Sequence, residues 1–480
     1  MENVAAKSFT AEQLRNLITG PGELALIDLR EGGVFSQSHL LFAANCPLSR
    51  LEILIEKIVP RKSVLLVVCT NDLDTKRSEK GLRRLAALGY TNLGQLEGGI
   101  EAWQNAGYEL FSGVHVPSKA FGEFVEANAG TPHISAADLA TKTANGEDII
   151  VLDSRPFNEY HNMNIPNGID VPGAELAYRI HDLAPNPETT VVVNCAGRTR
   201  SIIGAQSLIN AGVPNPVVAL ENGTMGWHLA GLELERGQRR NFNEVSPDAL
   251  VVAEKRAAMV RNRFEVPVTD HAQVDTWRKD PTRTTYLLDV RDPAEFQQAH
   301  LPGSKSSPGG QLVQATDLYV GVRRARLVLI DDTGVRASMS ASWLIQMGWH
   351  DVHVLYGISA LFTESGSQQQ QISNLNQQPI EYISAEKLRD ALEGSEKVHV
   401  ADLATSLQYR DQGHIPGAWF TVRSHMPENL SFANESELVV LTSPDGQLAE
   451  LAFEDATEGG LKVKVLEGGT AAWTALGESL

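Results

Sequence analysis

The stretch TVVVNCAGRTRSIIGAQSLINAG, residues 190–212, contains the transition from strand to helix that decides the fold. Residues 190–194 are short and β-branched, which predicts a buried strand. Residues 202–209 place apolar side chains at helical spacing, and the pattern stops at Gly212, which suits a helix C-terminus. Cys195 therefore lies where a strand ends and a helix begins.

That position predicts a reactive thiol. The unpaired N–H groups of the turn and of the helix start point at any anion that lies there, including a thiolate. Arg198 and Arg200 follow within five residues of Cys195. Because cationic surroundings at a helix start favour the thiolate over the thiol, we predict that Cys195 is a nucleophile at neutral pH.

Composition limits the class of protein. A chain of 480 residues is expected to form several domains, at roughly 100 to 200 residues each. The formal net charge of -18 argues against nucleic acid or an anionic membrane as the main partner. No apolar run approaches the ~18 residues of a membrane span, and the N-terminal MENVAAKSFTAEQL does not read as a signal sequence.

Three cysteines are too few for a disulfide framework, and their spacing suggests no metal site. We therefore expect neither a metal nor another cofactor, and a reducing, cytoplasmic setting in which the thiols stay free. The sequence leaves the oligomeric state open.

Sets of markers recur along the chain at similar intervals, which indicates internal repeats. Apolar strands end in Asp-x-Arg three times and in Asp-x-Ala once, a His or Asn turn follows each, and a Gly-rich turn closes each repeat. The markers are Asp28/Arg30, Asp153/Arg155, Asp289/Arg291 and Asp402/Ala404; His39, Asn164, His300 and His414; and Trp103, Trp227, Leu361 and Trp473.

These markers divide the chain into four tandem modules, which we number one to four. The successive Asp markers are separated by 125, 136 and 113 residues. We place the modules at residues 1–112, 128–236, 264–366 and 380–480.

Apolar strands alternate with helical patterns inside each module, which predicts an α/β fold with a parallel sheet covered by helices on both faces. The connectors differ in character. Residues 366–379, GSQQQQISNLNQQP, are polar and predict a flexible linker that proteases cut most readily. Residues 247–263 predict a helix packed between modules two and three.

The combination of Asp-x-Arg, His-Ile-Pro-Gly, CAGRTRS and Gly-Gly-x-x-x-Trp resembles the rhodanese family of sulfurtransferases, over nearly the whole chain. The resemblance implies four small α/β domains, each with a five-stranded parallel sheet flanked by helices. It also places the family's catalytic cysteine at Cys195.

Comparison of the modules suggests that module two alone is catalytic. Asp331 precedes Gly348 by the same number of residues as Cys195 precedes Gly212, so Asp replaces Cys in module three. Module four offers only Thr442 or Ser443, neither with an evident base. Module one has Cys69, in a loop that we expect to be longer and to carry Asp72 and Asp74, two carboxylates that oppose thiolate formation.

The resemblance implies that the Cys195 thiolate attacks the outer sulfur of a small anionic donor and forms a persulfide. A thiophilic acceptor such as cyanide, a thiol or sulfite then takes that sulfur. Arg198 and Arg200 would hold the anionic part of the donor, while backbone donors stabilise the persulfide. The residues predicted to bind substrate are Ala196, Gly197, Arg198, Thr199, Arg200 and Ser201.

Three alternatives remain open. A phosphatase loop of this fold has Arg six residues after Cys, whereas Ser201 stands there and Arg200 comes at five. A 3-mercaptopyruvate sulfurtransferase resembles a CGSGVT loop and carries an Arg where this chain has Glu159. Both differences from the 3-mercaptopyruvate sulfurtransferases, in the loop and at Glu159, favour thiosulfate or a small persulfide as the donor. The third alternative is a largely non-catalytic interaction scaffold, which modules one, three and four would suit.

Overall fold

The computed structural model describes residues 6–71, 75–366, 372–373, 375–395 and 397–480. These residues form four α/β units in chain order, each built around a parallel sheet with helices on both faces. The predicted fold class is confirmed.

Modules one and two share one order of elements. In module one the strands are β1 (Lys7–Phe9), β2 (Leu24–Asp28), β3 (Ala44–Asn45), β4 (Leu66–Cys69) and β5 (Leu93–Leu96), and the helices are α1 (Ala11–Thr19), α2 (Gly32–Phe35), α3 (Leu51–Ile58), α4 (Thr75–Ala87) and α5 (Gly99–Asn105). Helix α6 (Val116–Ala129) leads to module two. There the strands are β6 (His133–Ile134), β7 (Ile149–Asp153), β8 (Ile169–Asp170), β9 (Thr190–Asn194) and β10 (Val217–Leu220), and the helices are α7 (Ala136–Ala144), α8 (Phe157–Asn162), α9 (Leu176–Leu183), α10 (Thr199–Asn210) and α11 (Gly223–Leu229).

Helix α12 (Pro247–Arg263) leads to module three. Its strands are β11 (Thr285–Asp289), β12 (Lys305–Ser306), β13 (Val322–Arg323), β14 (Arg326–Ile330) and β15 (Val352–Leu355), and its helices are α13 (His271–Arg278), α14 (Pro293–Gln298), α15 (Gly309–Gln314) and α16 (Val335–Gln346). In module four the strands are β16 (Tyr382–Ile383), β17 (Val398–Asp402), β18 (Trp419–Phe420), β19 (Leu438–Thr442) and β20 (Lys462–Leu466), and the helices are α17 (Ala385–Glu393), α18 (Ser406–Asp411), α19 (Gln447–Leu451), α20 (Phe453–Thr457) and α21 (Gly469–Ala475).

The sheets of modules two and four match the five-stranded expectation, with strand orders β6-β10-β9-β7-β8 and β16-β20-β19-β17-β18. Module one has its own five parallel strands and a sixth, antiparallel strand, β13, which module three contributes to the edge of β2. The module three sheet has four strands, β12-β11-β14-β15, and only an isolated bridge between Val268 and Val354 where a fifth strand would pair. Module one therefore exceeds the predicted five strands because β13 crosses to it, and module three falls short because its first segment forms only a bridge.

The Asp-x-Arg marker fixes the loop that follows the first long strand of a module. Arg155 Nη2 contacts Asp153 Oδ2 at 2.7 Å and also donates to the carbonyl oxygen of Met163 at 2.7 Å. Arg30 and Arg291 make the equivalent pair of contacts in modules one and three. The ion pair is buried, and it joins the strand end to the residue before the His or Asn turn.

The connectors before modules two and three are helices, α6 and α12. Helix α12 confirms the predicted linker helix and packs against α9 of module two and α16 of module three through Ala249, Ala253, Ala257 and Val260. One cluster of buried apolar side chains extends through modules one, two and three. Of the predicted flexible linker, residues 367–371 and 374 lie outside the described residues, while Asn376 Nδ2 donates to the carbonyl oxygen of Glu450 in module four at 2.6 Å.

Module four docks on module one through a buried charge cluster. Arg423 Nη1 lies 2.8 Å from Glu52 Oε2 of module one, and Arg423 Nε lies 2.6 Å from Asp455 Oδ2. Arg84 of module one also contacts Asp455 at 2.6 Å. Burial alone would raise the pKa of Asp455, but the charges of Arg423, Arg84 and Lys80 lower it to about 2.

We expect Arg423→Ala to destabilise this contact strongly. The substitution removes one of the two arginines that Glu52 and Asp455 share, and breaking a buried ion pair costs about 3 to 5 kcal/mol. Urea denaturation followed by tryptophan fluorescence measures the loss. Arg410→Ala is the control, because the Arg410 side chain is 70% exposed. A change below about 1 kcal/mol in the Arg423 variant would show that the cluster does not hold module four in place.

Candidate functional site

The pairing of the two central strands shows which residue of each module occupies the position of Cys195. Asp153 pairs with Asn194 in module two, so Cys195 is the first residue after the strand. The same pairings join Asp28 to Cys69, Asp289 to Ile330 and Asp402 to Thr442. The residues equivalent to Cys195 are therefore Thr70, Asp331 and Ser443.

This register corrects the prediction for Cys69. Cys69 is the last residue of β4 rather than a member of the following loop, and Thr70 takes the position of the nucleophile. Burial, with a further contribution from Asp28, raises the pKa of Cys69 well above its usual value. Asp72 and Asp74, the two predicted acidic loop residues, lie outside the described residues. In the sequence Cys69 follows an apolar run just as Cys195 does, so the two cysteines look equivalent. Only the pairing of β4 with β2 shows that Cys69 lies one residue before the catalytic position.

Cys195 is held at the start of α10. Thr224 at the start of α11 donates to the carbonyl oxygen of Cys195 twice, from its backbone N–H at 2.8 Å and from Oγ1 at 3.1 Å. The Cys195 Sγ lies 3.6 Å from Ser201 Oγ, and that hydroxyl donates to the carbonyl oxygen of Arg198 at 2.7 Å. The thiol therefore faces the first turn of α10, across the loop of residues 195–201, which we call the Cys195 loop.

Two further residues fix the strand end beside the thiol, and our sequence reasoning did not select them. Asn194 Nδ2 donates to Asp153 Oδ2 at 2.8 Å, and Ser154 Oγ donates to the carbonyl oxygen of Asn194 at 2.8 Å. The signal was present, because a polar Asn ends an otherwise apolar strand at Asn194.

Gly223 allows α11 to approach the Cys195 loop closely. Its φ is +53°, in the left-handed region that favours glycine. A Cβ atom built at this position would overlap the carbonyl oxygens of Cys195 and Gly197. Gly469 stands in the same relation to the carbonyl oxygen of Ser443 in module four, with a φ of +64°.

The equivalent loop of module three turns backbone N–H groups toward the side chain of its first residue, Asp331. The Asp331 carboxylate accepts hydrogen bonds from the backbone N–H groups of Thr333, Gly334 and Ala337, the first at 2.6 Å and the last at 3.0 Å. Asp331 is fully buried, and burial raises its pKa. The residues at the same offsets from Cys195 are Gly197, Arg198 and Ser201, three members of the predicted binding loop. The backbone differs at the middle position, where Arg198 has a φ of -117° and Gly334 a φ of +80°.

The two arginines of the Cys195 loop point to different carboxylates. Arg198 is partly exposed and pairs with Glu123, at 2.9 Å, and with Glu126, both on α6. Arg200 is largely buried and binds Glu159 of α8 through two contacts, at 2.7 and 2.8 Å. Ala196 and Thr199 complete the loop at half-buried positions, and Ser201 is fully buried.

Glu159 does not pair with the arginine nearest to it in the sequence. It lies four residues after Arg155, but Arg155 turns back onto Asp153, and Glu159 faces α10 and Arg200. Module three repeats the arrangement, since Glu295 pairs with Arg336 and not with Arg291. The partner of Glu159 was not predictable from the sequence, because an arginine after a strand end can reach the carboxylate two positions earlier, as Arg155 reaches Asp153.

The family model for a rhodanese-like domain matches this chain four times, at residues 10–106, 135–230, 270–360 and 384–476. The chain belongs to the rhodanese family. The match covers most of the sequence and includes one copy in each module, so the resemblance stated from the sequence motifs is confirmed.

Three relatives extend the comparison. The crystal structure of thiosulfate sulfurtransferase from Pseudomonas aeruginosa is 47% identical, covers 98% of this rhodanese chain and 89% of its own, and superposes with a TM-score of 0.94. An HTH-type transcriptional regulator of Mycobacterium tuberculosis is 32% identical over 110 residues, which are 22% of this chain and 47% of the regulator. The uncharacterized protein YqhL of Bacillus subtilis is 35% identical over 97 residues, 20% of this chain and 71% of YqhL.

Within the described ranges, no helix is both long and apolar enough to cross a membrane. The same residues contain no group of His, Cys, Asp or Glu side chains arranged to hold a metal ion. All three cysteines are free thiols.

Proposed function

We propose that this rhodanese-type sulfurtransferase carries sulfur on Cys195. The enzyme class rests on the 47% identity to a thiosulfate sulfurtransferase across 98% of the chain. The observation that supports Cys195 is its position at the head of a loop whose counterpart in module three binds the Asp331 carboxylate through three backbone N–H groups.

The proposed reaction with thiosulfate has two steps. The Cys195 thiolate attacks the outer sulfur, the S–S bond of thiosulfate breaks, and sulfite leaves with the electron pair. Cys195 then carries a persulfide anion, which the N–H groups of Gly197, Arg198 and Ser201 stabilise as the equivalent groups stabilise Asp331. Cyanide attacks the terminal sulfur, forms thiocyanate and returns the thiolate.

The donor is a small anion, with thiosulfate favoured over mercaptopyruvate. Glu159 occupies the position where the mercaptopyruvate enzymes carry a donor-binding Arg, and its carboxylate is bound to Arg200. A low-molecular-weight persulfide fits the same loop. The acceptor in the cell is a thiophile such as a thiol or sulfite.

Modules one, three and four act without a cysteine at the catalytic position, which holds Thr70, Asp331 and Ser443. We assign them a structural role, in which they pack around the catalytic module two. The modules span residues 1–112, 264–366 and 380–480, and module two spans residues 128–236. Three unpaired cysteines suit the cytoplasm, where thiols stay reduced.

The proposal is tested by incubating the full chain with thiosulfate and cyanide and measuring thiocyanate. A parallel incubation with a phosphoester tests the phosphatase alternative. Thiocyanate formation without phosphate release supports sulfur transfer, and phosphate release without thiocyanate contradicts it.

We expect Arg200→Ala to slow persulfide formation from thiosulfate by roughly tenfold or more. A charge-assisted hydrogen bond is worth about 1.5 to 3 kcal/mol, and tenfold corresponds to about 1.4 kcal/mol. Arg200 is the more buried of the two arginines of the Cys195 loop, and the electrostatic interaction between Arg200 and Cys195 favours the charged guanidinium. Arg198→Ala is the matched comparison, and we expect a smaller effect because Arg198 is 38% exposed and lies against Glu123 and Glu126. Stopped-flow kinetics of persulfide formation measures the rate for both variants. An equal loss of rate would contradict the larger role proposed for Arg200.

A further inference from the structure

A second cationic site lies far from the Cys195 loop along the chain, between modules one and three. Here a cavity of about 460 Å³ is bounded by the loop after α2 of module one, the start of α6, and β13 with its following turn in module three. Arg323 and Arg324 line it from β13 and that turn, and Phe42 lines it from module one.

The two arginines are unpaired. The Nε atoms of Arg323 and Arg324 are buried and have no hydrogen-bond partner, and neither guanidinium forms an ion pair with any described residue. The guanidinium of Arg323 lies 3.6 Å from the centroid of the Phe42 ring, which holds the side chain in the cavity. Burial, with the adjacent charge of Arg324, lowers the pKa of Arg323 to about 10, so it stays cationic at neutral pH.

The carboxylates of the cavity wall are already bound elsewhere. Asp317 contacts His115 at 2.8 Å, and Asp351 is bound by Arg283 and His353, at 2.7 Å from the latter. Neither forms an ion pair with Arg323 or Arg324. Both arginines are half-buried, and their buried Nε atoms lack a partner, which is unfavourable; an anionic ligand would offset that cost.

The backbone also indicates that Arg324 has a role beyond turn formation. Its φ is +64°, in the left-handed region where glycine or asparagine is the favoured residue. A long cationic side chain at such a position is unfavourable for the turn itself, and sterically disfavoured residues of this kind concentrate at ligand sites.

We propose that this cavity binds a small organic anion. The guanidinium groups of Arg323 and Arg324 hold a carboxylate, phosphonate or phosphate head group, and the apolar part lies against Phe42, Val320 and Trp349. The ligand contacts modules one and three together. No residue of the Cys195 loop lines this cavity, and the proposal does not depend on the proposed sulfur transfer.

The test is isothermal titration calorimetry of the full chain with phenylphosphonate, which joins a dianionic head to an apolar ring. We expect one molecule to bind per chain, with inorganic phosphate weaker because it lacks the ring. Arg323→Gln and Arg324→Gly should each weaken binding at least tenfold. Glycine suits the positive φ at position 324, so Arg324→Gly should keep or raise the melting temperature. A loss of binding in this variant then reports the loss of the guanidinium and not unfolding.

Two controls locate the site. Cys195→Ser should bind phenylphosphonate as the unaltered chain does, and so should Arg410→Ala, which removes an exposed arginine of module four. Absence of binding to the unaltered chain, equal binding by both cavity variants, or loss of binding in Cys195→Ser would each overturn the proposal.

Discussion

Cys195→Ser is expected to lower thiosulfate:cyanide sulfur transfer by a factor on the order of 10³ or more. A hydroxyl at this position is a poor nucleophile and cannot carry a persulfide, so the covalent step is lost as a whole. The buried side chain changes little in size, so the variant should stay folded. Initial rates of thiocyanate formation measure the loss of sulfur transfer, and a thermal melt on the same preparation checks that the variant is folded.

The other two cysteines supply matched controls. Cys69→Ser and Cys46→Ser each replace a buried thiol outside the catalytic position, and Cys69 Sγ donates to the carbonyl oxygen of Ile27 at 3.6 Å. We expect activity within about twofold of the unaltered chain once folding is matched. Equal losses in Cys69→Ser and Cys195→Ser would show that modules one and two cooperate in catalysis.

Gly223→Ala is expected to lower sulfur transfer by about 10²-fold and stability by about 2 to 4 kcal/mol. The added Cβ overlaps the carbonyl oxygens of Cys195 and Gly197, so the Cys195 loop or α11 must move. Displacement of a reacting group by about 1 Å costs on the order of 10²-fold in rate, and overpacking with a positive φ destabilises the fold.

Gly469→Ala separates these two effects. It places the same overlap against the carbonyl oxygen of Ser443 in module four, at a similar φ. We expect comparable destabilisation in urea with sulfur transfer unchanged. A loss of activity as large as that of Gly223→Ala would mean that general destabilisation, and not the geometry of the Cys195 loop, sets the rate.

The repeated markers made the architecture predictable from the sequence. Asp-x-Arg and the His or Asn turn are local, because the arginine binds an aspartate two residues earlier and a carbonyl eight residues later. Local contacts of this kind leave a fixed spacing in the sequence. The Cys195 loop was readable for the same reason, since strand, loop and helix follow one another within residues 190–212.

The features that were missed depend on contacts between distant segments. The one-residue offset of Cys69 appears only when β4 is paired with β2, and the strand β13 pairs with β2, where Arg323 lies opposite Leu24. The pairing of Glu159 with Arg200 depends on where α8 and α10 meet. The spacing of residues along the chain does not indicate which distant segments come into contact.

Mass spectrometry of the intact chain and its peptides after exposure to thiosulfate tests the central claim most directly. The protein is freed of excess donor, digested without reductant and searched for one added sulfur atom. We predict that the added sulfur is found on the peptide that contains Cys195 and is removed by cyanide. Sulfur on Cys69 or Cys46 instead, or thiocyanate formation with no sulfur ever bound to Cys195, would contradict the account.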